Sequence, residues 1–387
     1  MLLLGAAELA QLPDTVGPSH GLDSMTRSSE KRWRVLFVGD DWYGSNATSL
    51  RNAILRRGHD CLTIDTSLIR SVSVIRRLAG RLAATPAVRE AHTVASRTAA
   101  PAAVLKAWNM HLAATANAWR PDVVFVFKGL AVTRDALEAC PGLRVHYHPD
   151  VRIDYAQDWG TTHETVGMQT RGGTVDVYDL HVTTKTFHVP QLKARGAKAV
   201  LYVPCAYDRD WHRPIGNGSA AEFSVGFIGS RLSDRRINLV RNVATTWGKR
   251  FYVCGHKWRR DPRVFCRATV AGPQYGLDLS VAVAKAPIQL GILNNGDQHT
   301  CRSYEIPAAG GVLIADRTEE HILMLDEGTE ALFFSSEPEL FEHIHRLATE
   351  PAVMRRMGTA AAKRIRGGAN TYDDRWDSIC QAIAAMC

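Results

Sequence analysis

Two short apolar runs that each end in glycine limit what this chain can fold into. One is Arg34-Val35-Leu36-Phe37-Val38-Gly39, and Phe223-Ser224-Val225-Gly226-Phe227-Ile228-Gly229 repeats its character in the second half. A short apolar run closed by a glycine turn fits a strand buried in a parallel sheet. After the first run a helical pattern spans 45–57 and stops at Gly58, and 62–65 reads as the next strand, completing a βαβ unit. Residues 66–119 read as mostly helical, and strands are expected at 123–127, 143–148, 180–183 and 199–203, with a helix over 189–195. A polar, Pro-containing connection follows, and the alternation restarts with strands at 223–229, 251–255, 288–293, 311–315 and 331–334. This order predicts an α/β fold of two doubly wound, Rossmann-like domains facing a cleft. The expected division is a flexible leader over 1–30, an N-terminal domain over 31–203, a connection over 204–217 and a C-terminal domain over 218–370. A helix within 371–387 is expected to pack back on the first domain.

Composition narrows the class. With 387 residues, 45% hydrophobic and 22% charged, the chain is globular and long enough for two domains. No apolar run approaches the ~18 residues of a membrane span, and Met1-Leu2-Leu3-Leu4 meets Glu8 too soon for a secretory signal. Eight cysteines without a CxxC pair give little support to zinc or disulfide frameworks. A cytoplasmic protein, peripheral at most at the inner membrane face, is the expectation. The net charge of +8 favours nucleotide phosphates, nucleic acid or an anionic membrane as partners. Seven basic residues stand in 68–107 against Glu90 alone, but no aromatic residue interleaves them, which disfavours nucleic acid. Within 68–82, apolar residues recur near helical spacing opposite Arg70, Arg77 and Arg81. That pattern fits a solvated domain helix or one lying on an anionic membrane.

Ligands of doubly wound sheets sit beyond the carboxyl ends of the strands, so the chemistry is sought there. The densest segment runs from Asn294 through Asp297, His299, Thr300, Arg302 and Glu305 to Gly310-Gly311. A helix starting there directs free N–H groups at an anion, and Arg302 adds a forked cation. Glu305 can hold a ribose diol, and Asp297 precedes it in an acid-x7-acid spacing. A solvated loop and helix cap would use many of the same residue types. Gly229-Ser230 lets the backbone approach a pyrophosphate, and Arg235 can pair with its oxygens. In the first half, Gly39-Asp40-Asp41 and His148-Pro149-Asp150 follow strands. His148 or Asp150 can act as a base or hold a sugar hydroxyl, whereas Asp40 and Asp41 also suit helix capping. Asp208-Arg209-Asp210 reads as turn chemistry rather than a metal site. The chain has no GxxxxGK[ST], GxSxG or HExxH motif, and no GxGxxG after its first strand.

These features together resemble a GT-B glycosyltransferase of group 1 (GT4-like), and more closely its CgeB-type branch. The matching stretches are Phe227-Ile228-Gly229-Ser230 with Arg235, the segment from Asp297 to Gly311, and Asp316-x-Thr318-x-Glu320-His321. Tyr178-Asp179, the link from Pro204 to Pro214 and Thr371-Tyr372-Asp373-Asp374-Arg375 are similar as well. The resemblance implies that Glu305 holds the donor ribose, that Arg235 faces the diphosphate and that Gly229 and Ser230 form the phosphate-side turn. Asp297, His299, Thr300, Arg302 and Gly310 would complete the donor side, with His148 near the sugar and Gly39, Asp40 and Asp41 on the acceptor side. The acid at 297 is Asp where group 1 enzymes typically carry Glu. The implied function is transfer of a sugar from a nucleotide diphosphate-sugar, with retention and no essential metal or further cofactor. The acceptor would be a glycan, a lipid-linked molecule or a protein. A non-catalytic, spore-coat-type surface protein that keeps the fold is the alternative.

Overall fold

The computed structural model describes residues 31–66, 102–129, 132–149, 174–216, 221–294 and 297–387. The expected leader, the 68–82 helix and Asp150 lie outside them.

The first domain runs β1 (Arg34–Gly39), α1 (Asn46–Arg56), β2 (Asp60–Asp65), α2 (Ala102–Trp119), β3 (Val123–Phe127), α3 (Arg134–Glu138), β4 (Leu143–His148), β5 (Leu180–Thr183), α4 (His188–Ala194) and β6 (Val200–Tyr202). Its strands form one parallel sheet in the order β2-β1-β3-β4-β5-β6. The apolar runs that marked β1 and β3 fill the space between helix layers: Phe37 and Phe125 stack at 5.6 Å. The chain lays β2 on one side of β1 and then β3 on the other, so the strand order reverses between β1 and β3.

The second domain repeats the plan with β7 (Val225–Ile228), α5 (Asp234–Trp247), β8 (Phe251–Cys254), α6 (Pro262–Phe265), β9 (Thr269–Ala271), α7 (Leu277–Lys285), β10 (Ile288–Gly291), α8 (Cys301–Ala308), β11 (Val312–Asp316), α9 (Glu319–Met324), β12 (Ala331–Phe334), α10 (Glu337–Thr349) and α11 (Pro351–Gly367). Its parallel order is β12-β11-β10-β7-β8-β9, with the reversal between β7 and β10. The pattern of apolar runs did not indicate β9. Three half-buried residues at a sheet edge leave no periodic trace.

The last helix, α12 (Tyr372–Ala384), lies against α1. Tyr372, Trp376, Ile379 and Ile383 are buried in one cluster with Val35, Phe37 and Phe125 of the first sheet. Burying each such side chain contributes roughly 1.5–3 kcal/mol. Arg56 of α1 donates to both carboxylate oxygens of Asp373, at 2.9 and 2.7 Å. Arg375 donates to the carbonyls of Pro204, Cys205 and Ala369, which ties α12 to the connection. Asp208 does form a turn there: its Oδ1 accepts from the Asp210 N–H at 3.0 Å. Among the described residues no helix is long and apolar enough to cross a membrane.

Candidate functional site

At the second reversal, beyond the ends of β7 and β10, the polypeptide is tightly specified. The carbonyl of Gly229 accepts from the buried Trp258 indole at 2.7 Å, and its N–H donates to the Cys254 carbonyl at 2.9 Å. Gly255 has φ +151°, and a Cβ there would lie 2.1 Å from the Gly229 oxygen. Only glycine fits, because the two loops touch through their backbones.

The arginines of α5 divide. Arg235, expected at the diphosphate, forms a two-point ion pair with Asp316, whose carboxylate also accepts from the Leu293 N–H at 2.6 Å, and lies over Phe334. Arg236 is the buried one. It donates to the Ile292 carbonyl at 3.1 and 2.7 Å and to the Ser230 carbonyl at 3.3 Å, linking the ends of β10 and β7. Burial pushes its pKa down to about 10, opposed by Asp297 and Asp316, so it remains a cation at neutral pH. A small cavity of about 40 Å³ is lined by Gly229, Arg236, Leu293, Thr300 and Arg302.

The loop before α8 is held from both domains. Lys185, just past β5, is buried, forms an ion pair with Asp297 at 2.9 Å and donates to the His299 carbonyl at 3.1 Å. His299 is buried, and its Nε2 accepts from the Cys205 N–H at 3.1 Å, so the ring proton sits on Nδ1 and is donated to Glu320. Glu320 also accepts from the Thr186 hydroxyl at 2.8 Å. At the start of α8 the Thr300 N–H donates to Ser303 Oγ, which in turn donates to His321 Nε2 at 2.8 Å. His321 Nδ1 donates to the Asp316 carbonyl at 2.8 Å. The 316–321 motif therefore braces the 297–305 motif. Arg302 pairs with the buried Glu305, and His212 Nε2 stands 3.8 Å from the other oxygen of that carboxylate. His212 Nδ1 accepts from the Asp208 N–H at 2.9 Å, so its Nε2 proton faces Glu305.

On the facing domain His148 ends β4 and is buried, its pKa held well below the usual value by burial and then by Lys128 and His188. Gly39 ends β1 packed on Phe37 and Phe127. Asp40 accepts from the Thr66 hydroxyl at 2.6 Å, while Asp41 pairs with Arg51 and accepts from Thr48 at 3.3 Å. Both carboxylates thus hold the β1 loop in place. That loop reaches the second domain: Tyr43 Oη accepts from the Leu277 N–H at 2.9 Å, and Asn46 donates to Cys301 Sγ at 3.1 Å.

The structure thus gathers Gly229, Ser230, Thr300 and Arg302 around Arg236, with Asp297, His299 and Glu305 close behind. It does not bring Gly310 there. Gly310 (φ +88°) caps the far end of α8, before β11, against Pro214. Sequence reasoning did not single out Lys185, although its place just beyond a strand end was a signal. A larger cavity, about 820 Å³, opens beside Tyr202, Tyr304, Glu320 and Asn370. It touches His299 but neither Gly229 nor Arg302, and Lys363 and Arg364 are its cations. Among the described residues no group of His, Cys, Asp and Glu could hold a metal ion.

Residues 235–381 match a protein family described as Glycosyl transferase-like. No curated protein matches the sequence. Solved structures share the fold at low identity. Sucrose-phosphate synthase from Thermosynechococcus elongatus is 14% identical, with a TM-score of 0.57 over 91% of this chain and 98% of that one. Anabaena HepE (Alr3699) in complex with UDP is 11% identical, with a TM-score of 0.59 over 91% and 100%. A glycosyltransferase from Rickettsia africae is 9% identical, with a TM-score of 0.57 over 91% and 99%. The chain therefore has the GT-B fold, and its second half carries a glycosyl transferase-like domain.

Proposed function

We propose that this protein transfers a sugar from a nucleotide diphosphate-sugar to an acceptor in the cleft between the two sheets. The observation that carries the reading is the meeting of Arg236 and Arg302, both inside the matched residues, with the Gly229-Ser230 turn at the β7–β10 reversal. Charge developing on a departing diphosphate would be met by these two guanidinium groups and the amino end of α8, so the step needs no divalent ion. Glu305 would hold Arg302 and reach the donor ribose. His148 and Asp297 would approach the sugar from opposite domains, with Lys185 positioning Asp297. Retention of configuration and membership of the CgeB-type branch are part of this proposal, the latter supported by the paired 297–311 and 316–321 motifs. HepE has been solved with UDP-glucose, so UDP is the first nucleotide to try.

Isothermal titration with UDP, GDP and dTDP, followed by a turnover screen of nucleotide sugars, tests the reading. Glu305→Ala is expected to weaken nucleotide affinity by roughly 1.5–3 kcal/mol, the scale of a hydrogen bond to a charged group. Comparing nucleoside with nucleotide separates its two roles. A loss common to both marks the ribose, and a loss confined to the diphosphate marks action through Arg302. Unchanged affinity in a folded Glu305→Ala protein would remove the donor-site assignment.

A further inference from the structure

The turn before β8 and the crossing from β8 to β9 carry an unbalanced charge. Lys249, Arg250, Lys257, Arg259, Arg260, Arg263 and Arg267 are all exposed within residues 249–267. The one acid in this stretch, Asp261, is buried and already neutralised from behind by Arg231 and Arg241, both at 3.0 Å. None of the seven forms an ion pair among the described residues. The underside is rigid: Trp258, Val264 and Ala268 are buried, and Trp258 is bonded to Gly229. Lys249, in the turn before β8, donates to the Ala268 carbonyl at 3.1 Å, just before β9. Among these cations Phe265 leaves 50% of its surface in water.

We infer that this edge of the second domain is a docking surface for an anionic lipid membrane. Buried Trp258 and Val264 fix the crossing, so Lys257, Arg259, Arg260 and Arg263 are presented with little ordering cost. Their charge complements headgroup phosphates, and Phe265 can enter the headgroup boundary between them. A nucleic-acid surface would call for several stacking aromatics, whereas one exposed ring stands here. The inference does not depend on sugar transfer, nor on residues 68–82.

Co-sedimentation of the full chain with phosphatidylcholine vesicles, with and without phosphatidylglycerol, tests it. Binding is expected only with the anionic lipid, weakening as salt rises. Each basic residue near the surface is worth about fivefold in partition. Arg259→Glu, Arg260→Glu and Arg263→Glu together are therefore expected to cost on the order of a hundredfold or more, with unchanged melting. Phe265→Ser is expected to weaken binding while keeping the salt dependence. The same charge change at Arg355, Arg356 and Lys363 of α11, all exposed, is the control. An equal loss there means bulk charge rather than this surface and overturns the inference. So does absent vesicle binding, or retained binding in the first triple variant. Tighter binding to DNA than to vesicles, lost in that variant, overturns the lipid assignment in favour of nucleic acid.

Discussion

Arg235 and Arg236 are neighbours with opposite environments, and the difference is measurable. Arg236→Ala would leave the Ile292 and Ser230 carbonyls without their buried donor, a cost of roughly 2–4 kcal/mol in stability. Diphosphate binding is expected to fall further than nucleoside binding, because the lost group is a cation beside the anion site. Arg236→Lys keeps the charge with fewer donors and should fall between. Arg235→Ala removes a half-exposed cation from the buried Asp316, which keeps the Leu293 N–H as a donor, a cost of about 1 kcal/mol, and should leave nucleotide affinity near wild type. Denaturant unfolding and calorimetric titration of the three variants check this. An affinity loss in Arg235→Ala as large as in Arg236→Ala would return the diphosphate to Arg235. The sequence could show that two arginines follow the β7 turn. It could not show which faces inward, because successive residues of a helix point about 100° apart and packing sets the phase.

At the scale of elements, the Gly229-Ser230 turn depends on backbone contact. Gly255→Ala would drive a methyl group into the Gly229 carbonyl and impose a φ near +151° that side chains avoid. A loss of about 2–4 kcal/mol is expected, along with weaker nucleotide binding if the Gly229-Ser230 turn faces the phosphates as proposed. Gly58→Ala is the comparison. Its φ is +81° with no atom within 4 Å of the added group, so only conformational strain of about 1–2 kcal/mol remains and nucleotide binding is untouched. Melting curves and titrations of both variants separate local strain from damage to the turn. The strands flanking these glycines were legible as apolar runs. The glycine-to-glycine contact was not, because it joins the ends of two strands through space.

At the scale of the whole molecule, five histidines among the described residues are buried with pKa values lowered chiefly by desolvation: His146, His148, His181, His212 and His321, the last to about 4. The unfolded chain protonates each near pH 6.5, whereas the native state resists. Below that pH the unfolded state therefore binds more protons, and stability falls as the solution is acidified. His321 alone should cost about 2 kcal/mol at pH 5. Urea unfolding between pH 7 and pH 5 should show a falling midpoint. A flat profile would mean that these rings are charged or hydrated in the native protein.

Alternating apolar runs and helical patterns were enough to give two doubly wound sheets. Each strand writes its own burial into consecutive residues, and each glycine turn is a local backbone requirement. The clustering of Asp297, His299, Arg302 and Glu305 was equally visible, since it lies in one loop and helix. Tertiary structure alone decided that Lys185 and Cys205 hold this loop from outside its domain, that Asp316 takes Arg235, and that Gly310 serves packing at the other end of α8. These are pairings between segments far apart in the chain. They depend on how two sheets and a connection meet in space, and no local pattern of residues records that.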